Sequence, residues 1–316
     1  DGGCPQSSSF ESCSLNPFSM NGYFVILIIN HSTIIMFQQL TIIGSGLLGA
    51  SLGMAVKNKG LAQTIKVWAR RKETLSLCKV EDWCDYAEDD LEQSVKGSEF
   101  VIICTPVETI PNIIEKIAMV SNDGTIITDV GSVKSKICYL GDQAVLNSGV
   151  GFIGSHPMAG SENSGMGHAD LNLFNGKPCI ITSTEKSSRN MVEITKGFWK
   201  ALNMNVYEFS PEEHDKAVAY FSHLPHLISS CLANNLEWKP KSWRKISGNG
   251  IKDCTRIAAG DPELWKQIFL MNKEPLMLAL DDWENTLLKL REIIQNEDID
   301  KILSFLEQGA NFRKDL

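Results

Sequence analysis

The sequence predicts an α/β protein, a doubly wound parallel sheet followed by an all-helical domain. Three observations predict it. Short, near-continuous apolar runs alternate with helical stretches from Phe37 onward, a glycine-rich turn joins the first run to the first helix, and strand-like runs stop after residue 209. The runs "LTIIG" (40–44), "TIKVWAR" (64–70), "EFVIICTP" (99–106), "GTIITDVG" (124–131), "VGFIGSHP" (150–157) and "PCIITS" (178–183) suit parallel strands buried on both faces. Between them, "LLGASLGMAVKNKG" (47–60) reads as a helix ended by glycine, with further helices at 107–120 and 135–146. The alternation ends at "MNVYEFS" (204–210). There Ser210 as N-cap, Pro211 at the first helical position and the pair Glu212–Glu213 open a helix, and helical periodicity continues to Leu316.

A chain of 316 residues has room for two cores, and a 43% hydrophobic, 22% charged composition is that of an ordinary globular protein. The net charge of −8, with no basic stripe, argues against nucleic acid as a partner. Nine cysteines, an odd number without a CxxC pair, do not read as a disulfide framework and fit a reducing, cytoplasmic setting. Residues 1–35 differ from the rest: a polar, turn-rich segment precedes "YFVILII", a run too short to cross a bilayer and without a basic region before it, so no membrane association is expected. This stretch reads as a leader or upstream extension, expected to be disordered.

"GSGLLG" (44–49) is a G-x-G-x-x-G set between a strand and a helix, the context in which the pattern denotes a dinucleotide site rather than a bare glycine turn. Gly44 allows the tight turn, Gly46 lets the backbone approach a pyrophosphate, and Gly49 lets helix and strand pack closely. Ser45, Leu47 and Leu48 belong to the same cofactor loop. The chain thus divides into the leader (1–35), a dinucleotide-binding domain (36–209) and a helical substrate and dimerisation domain (210–316). NAD sites usually carry an acid about twenty residues on, at the end of the second strand. Here that place reads Ala69-Arg70-Arg71-Lys72, which fits a 2′-phosphate and so NADP in preference to NAD; the alternative is a solvated basic turn.

Five of the six histidines lie between residues 156 and 226. On its own His156, before a proline at a strand end, reads as a structural residue. His223 and His226, three apart, would share a helical face, with His214 upstream. No cysteine or carboxylate cluster completes a metal-ligand set, so no metal is expected, and the histidines suit an anionic-substrate pocket better.

Together, "GSGLLGASL", "TDVGSVKS" (128–135), "GSHPMAGSE" (154–162), "SHLPH" (222–226) and "DCTRIAAGDPELW" (253–265) make the sequence resemble the prephenate/arogenate dehydrogenases of tyrosine biosynthesis, in the family's motif order from about residue 40 to 271. The resemblance implies a Rossmann-like domain followed by a helical domain through which two subunits dimerise. It implies oxidative decarboxylation of a cyclohexadienyl alcohol, prephenate or else arogenate, by hydride transfer to NAD(P). On it, His156 matches the catalytic histidine, able to accept the hydroxyl proton, and Ser132 matches the serine that orients it. Arg256 matches the substrate-carboxylate arginine, with His226 and His223 at the side-chain end and His214 supporting. Glu162 and Asp253 match acids able to pair with that arginine, and Trp265 would close the pocket. Thr105, Pro106 and Gly131, at strand ends, join the cofactor set. A catalytically silent nucleotide sensor on this scaffold would not need His156, Ser132 and Arg256 together.

Overall fold

The computed structural model describes residues 35–160 and 163–316. The expected leader, apart from residue 35, and Glu162 lie outside the described residues. The first part of the chain runs β1 (Phe37–Ile43), α1 (Leu47–Lys59), β2 (Ala62–Trp68), α2 (Lys72–Cys78), β3 (Tyr86–Glu88), α3 (Leu91–Val95), β4 (Phe100–Ile103), α4 (Ile110–Ala118), β5 (Ile126–Asp129), α5 (Ser135–Ala144), β6 (Gly151–Pro157), β7 (Pro178–Thr182), α6 (Arg189–Ala201) and β8 (Asn205–Phe209). The eight strands form one sheet in the order β3-β2-β1-β4-β5-β6-β7-β8.

The apolar runs are continuous because the sheet is covered twice. In β4, Phe100 and Ile102 face one core with Leu40, Leu52, Phe198 and Trp199, while Val101 and Ile103 face the other with Ile114, Ile117 and Ile137. Phe100 stacks on Phe37 at 4.7 Å between ring centroids and meets Phe198 at 4.9 Å, so α6 is fastened across β1 and β4. Beneath β5 and β6, Trp199 Nε1 donates to the Ser155 hydroxyl, which in turn bonds Thr128.

One expectation is overturned. The strands from β1 to β6 are parallel, but β7 pairs antiparallel with β6, and β8 runs parallel to β7. A parallel neighbour needs a crossover that returns the chain to the opposite edge of the sheet. Here Pro157 pairs with Cys179 and Met158 N donates to the Pro178 carbonyl, so the chain re-enters the sheet at the carboxyl edge where β6 ends. The next strand therefore starts from that edge and runs back.

After Phe209 every described element is helical: α7 (Pro211–Val218), a π-turn over Ala219–His223, α8 (Leu224–Glu237), α9 (Asn249–Thr255), a 3-10 turn over Arg256–Ala259, α10 (Pro262–Met271), α11 (Lys273–Gln295) and α12 (Ile299–Lys314). The Ser210 side chain accepts from Glu213 N, with Pro211 at the first turn. No helix among the described residues is long and apolar enough to cross a membrane.

At Gly49 an added Cβ would stand 1.9 Å from the Gly44 carbonyl oxygen, a backbone atom that cannot swing away. Gly49→Ala is therefore expected to cost about 1–3 kcal/mol or more, read as a lowered urea midpoint. At Gly46 a Cβ meets nothing within 4 Å, so Gly46→Ala should cost less than about 1 kcal/mol. Equal stability losses in the two variants would contradict this packing.

Candidate active site

The strand order reverses between β1 and β4, and the crevice at their carboxyl ends is where open α/β sheets bind ligands. A cleft of about 700 Å³ opens there, lined by Gly44, Ser45 and Gly46 from the first turn, Arg70 and Arg71 after β2, and Thr105 and Pro106 after β4. Gly44 has φ +95°, a conformation that glycine adopts without strain. The N-terminus of α1 has no side-chain cap, so its first-turn N–H groups remain for an anionic ligand, and the open space at Gly46 admits one close to the backbone. These features fit a dinucleotide. Leu47, Leu48, Gly49 and Gly131 support the loop without lining the cleft. The sequence reading missed Thr74, Thr109 and the Gly165–Gly167 turn, which do line it.

Along the same edge the structure gathers the histidines. His156, near the carboxyl end of β6, is 7% exposed, and its Nδ1 lies 2.8 Å from His214 Nε2. His214 is wholly buried on α7, and its Nδ1 lies 2.8 Å from Asp215 Oδ1. Both His214 nitrogens are thus engaged behind His156. Asp215 is fixed in turn by the backbone N–H groups of Lys134 and Ser135, at 2.7 and 2.9 Å.

Burial pushes the Asp215 carboxyl up, but the His214 and Ser135 hydrogen bonds outweigh it and hold the group below the usual carboxylate range. His156 is driven well below the ordinary histidine range, first by burial and then by His214, Lys134 and His223. Burial also lowers His214, against the pull of Asp215. His223 is lowered to about 4, chiefly by burial. All three rings are therefore neutral at pH 7.

Close by, Lys134 and Asp129 form a fully buried ion pair at 2.6 Å, and Asp129 also accepts from Gly131 N and Ser155 N. This pair joins β5, the loop bearing Ser132, and β6. Ser132 itself is half-buried in that loop. On the helical side, His226 stacks on Trp265 at 3.5 Å, and Asn272 Nδ2 donates to His223 Nδ1 and to the Asp215 carbonyl. Asn272 was not anticipated, since a single asparagine at a helix junction carries no signal in one sequence. Neither His226 nitrogen has a hydrogen-bond partner among the described residues. Arg256 is exposed on its 3-10 turn and engaged in an interaction, and Asp253 is exposed on α9. Among the described residues no His, Cys, Asp or Glu group is arranged to hold a metal.

A switch-point dinucleotide cleft, with a buried, neutral histidine near the carboxyl end of β6 in the same sheet, fits an NAD(P)-dependent oxidoreductase. Comparison with known proteins makes the class particular. Residues 52–208 match the family model "Prephenate dehydrogenase, nucleotide-binding domain", and residues 210–308 match "Prephenate dehydrogenase, dimerization domain". The chain belongs to the prephenate dehydrogenase family. It is 32% identical to a prephenate dehydrogenase of Bacillus subtilis, over 89% of this chain and 76% of that protein. The structure of prephenate dehydrogenase from Aquifex aeolicus in complex with hydroxyphenyl propionate and NAD+ superposes with a TM-score of 0.82 at 31% identity, covering 88% of this chain and 98% of that one. Synechocystis arogenate dehydrogenase gives 0.77 at 27% identity, over 88% and 99%.

Removing one member of a buried ion pair strands the other. Asp129→Asn leaves the Lys134 ammonium without its counter-charge and should destabilise the fold by about 3–5 kcal/mol in urea unfolding. A loss below about 1 kcal/mol would mean that the pair is dispensable.

Proposed function

We propose that this chain oxidises prephenate to 4-hydroxyphenylpyruvate and CO₂. The observation that carries the reading is His156: buried, neutral, and backed by His214 and Asp215 on the sheet edge that forms the dinucleotide cleft. Gly44, Ser45, Gly46, Arg70, Arg71, Thr105 and Pro106 would hold a nicotinamide dinucleotide, which when bound would supply the acceptor for hydride from the carbinol carbon. As hydride leaves, the neutral His156 ring takes the hydroxyl proton. The electrons of the breaking C–CO₂ bond aromatise the ring, and His156 returns the proton to the resulting phenolate. Aromatisation supplies the driving force, so the side chains have only to hold the ring, manage this proton and grip the carboxylates.

In this reading Ser132 orients His156 and the hydroxyl. Arg256 clamps a carboxylate, a charge-assisted bond of about 1.5–3 kcal/mol. Because a cation on the departing carboxylate opposes its loss as CO₂, that clamp serves binding. His226, stacked on Trp265, and His223 face the side-chain end. The helical domain from residue 210 carries the dimer contact: α11 and α12 expose Leu287, Leu288, Leu303, Leu306 and Phe312, an apolar surface that suits a two-fold partner. The thiols at Cys78, Cys84, Cys104, Cys138 and Cys179 are unpaired, as in a cytoplasmic protein.

Steady-state assay with prephenate and with arogenate tests the substrate. Higher kcat/KM with prephenate is expected, and a preference for arogenate would reassign the enzyme within its family. His156→Asn should lower kcat by about 10²–10⁴-fold with cofactor affinity unchanged, since only help to proton transfer is lost. Near wild-type kcat in that variant would remove His156 from the chemistry.

NADP is the preferred cofactor in this reading. Ala69 is buried where an acid would meet ribose hydroxyls, and Arg70 and Arg71 line the cleft beside it. Two charge-assisted contacts at the weak end, about 1.5 kcal/mol each, correspond to about a hundredfold in kcat/KM, falling with added salt. Ala69→Asp with Arg70→Ala should shift the preference towards NAD. Equal kcat/KM for the two cofactors in the unmodified enzyme, or a preference for NAD, would reduce the arginines to a solvated turn.

A further inference from the structure

Asp215 occupies a place that nothing in the reaction explains. It lies on α7, in the helical domain, yet its carboxylate is held by the first N–H groups at the start of α5, in the sheet domain. Its third bond goes to His214, and His214 goes on to His156. We propose that His214 and Asp215 are positioning residues that set which nitrogen of His156 carries the proton and share the charge that His156 acquires. This inference rests on the assignment of His156 as the base in the function proposed above.

The donors and acceptors allow one arrangement. Asp215 is an ionised carboxylate, which only accepts, and two backbone N–H groups already point at it. His214 Nδ1 must therefore carry the proton facing Asp215 Oδ1. A neutral His214 then has its lone pair on Nε2, so His156 Nδ1, 2.8 Å away, must donate. The His156 lone pair is left on Nε2, the nitrogen that no described residue engages. Without this chain His156 could place its proton on either nitrogen, and an Nε2–H ring cannot take a proton from a substrate hydroxyl.

The same chain acts after proton capture. An imidazolium at His156 is opposed by burial, by the Lys134 ammonium and by the neighbouring His223 ring. Asp129 neutralises Lys134 at 2.6 Å, and the Cys179 thiol on the adjoining strand is held neutral, so neither offers a free counter-charge. Asp215 is the remaining carboxylate in line, reached through two hydrogen bonds. Because both steps run through His214, a ring that bonds at both nitrogens suits the middle position.

Three variants and one spectrum test this. His214→Gln keeps an acceptor for His156 and a donor for Asp215, whereas His214→Leu keeps neither. We expect kcat for prephenate within about tenfold of wild type in the first and a loss of about 10²-fold or more in the second, with KM moving less than about threefold in both. Asp215→Asn removes the charge that favours the protonated ring, so the His156 pKa falls. The acid limb of kcat/KM then moves to lower pH while the plateau drops about 10²-fold. Equal losses in the two His214 variants, or an unmoved acid limb in a folded Asp215→Asn protein, would reduce the pair to packing. Ring ¹⁵N shifts of the unmodified protein need no substrate. They should show His156 and His214 neutral and protonated on Nδ1, and Nε2–H on His156 would overturn the inference even where a variant fails to fold. A wild-type enzyme inactive on prephenate, with that tautomer in place, would instead locate the failure in the proposed substrate.

Discussion

The carboxylate of Asp215 is the constraint on which the site depends. It reaches from the first helix after the sheet into the N-terminal turn of α5, and the Lys134 and Ser135 amides bind it there. A helix start presents unpaired donors and the positive end of the dipole, so an anion at this place is stabilised and directionally fixed. Two further residues hang on the same short segment: His214 beside it on α7, and Asn272, which donates to the Asp215 carbonyl and to His223. Docking of the helical domain on the sheet and assembly of the histidines are therefore one event.

Burial then decides the chemistry. Three histidines in a low-dielectric setting cannot all carry charge, and the nearby lysine raises the cost further, so the rings stay neutral. A neutral ring is what a proton acceptor needs. The lysine is neutralised by Asp129, whose remaining bonds to Gly131 and Ser155 tie the Ser132 loop to β6. Structural and electrostatic roles thus fall on the same few side chains, which is why their positions leave little freedom.

Much of this was legible in the sequence, for physical reasons. Buried strands announce themselves as apolar runs, and a glycine loop between a strand and a helix has few other uses, so β1, β2, β4, β5 and β6 and the cleft residues Gly44, Gly46, Thr105 and Pro106 could be read directly. The direction of β7 could not, because an apolar run has no polarity and the turn-back depends on where the 158–177 segment travels. α6 and the brief β3 also escaped, the first for want of a clear signal between two strands and the second for its three-residue length. His214 was visible as a histidine but not as the middle of a chain, since its partners are 58 residues upstream and next door. Lys134 lay unremarked inside a quoted motif, because no sequence pattern marks a lysine as buried.

The central claim is that a neutral, buried His156 accepts the proton during oxidation of prephenate, and the pH dependence of kcat/KM in the unmodified enzyme tests it most directly. That profile reports the free enzyme's essential base. With the His156 pKa held below its ordinary value of 6.5, the ring keeps its lone pair as pH falls through 6.5, and the rate should remain on its plateau there and decline only at lower pH. An acid limb centred at or above 6.5 would mean that the base is an exposed or charge-stabilised group elsewhere, and would contradict the account.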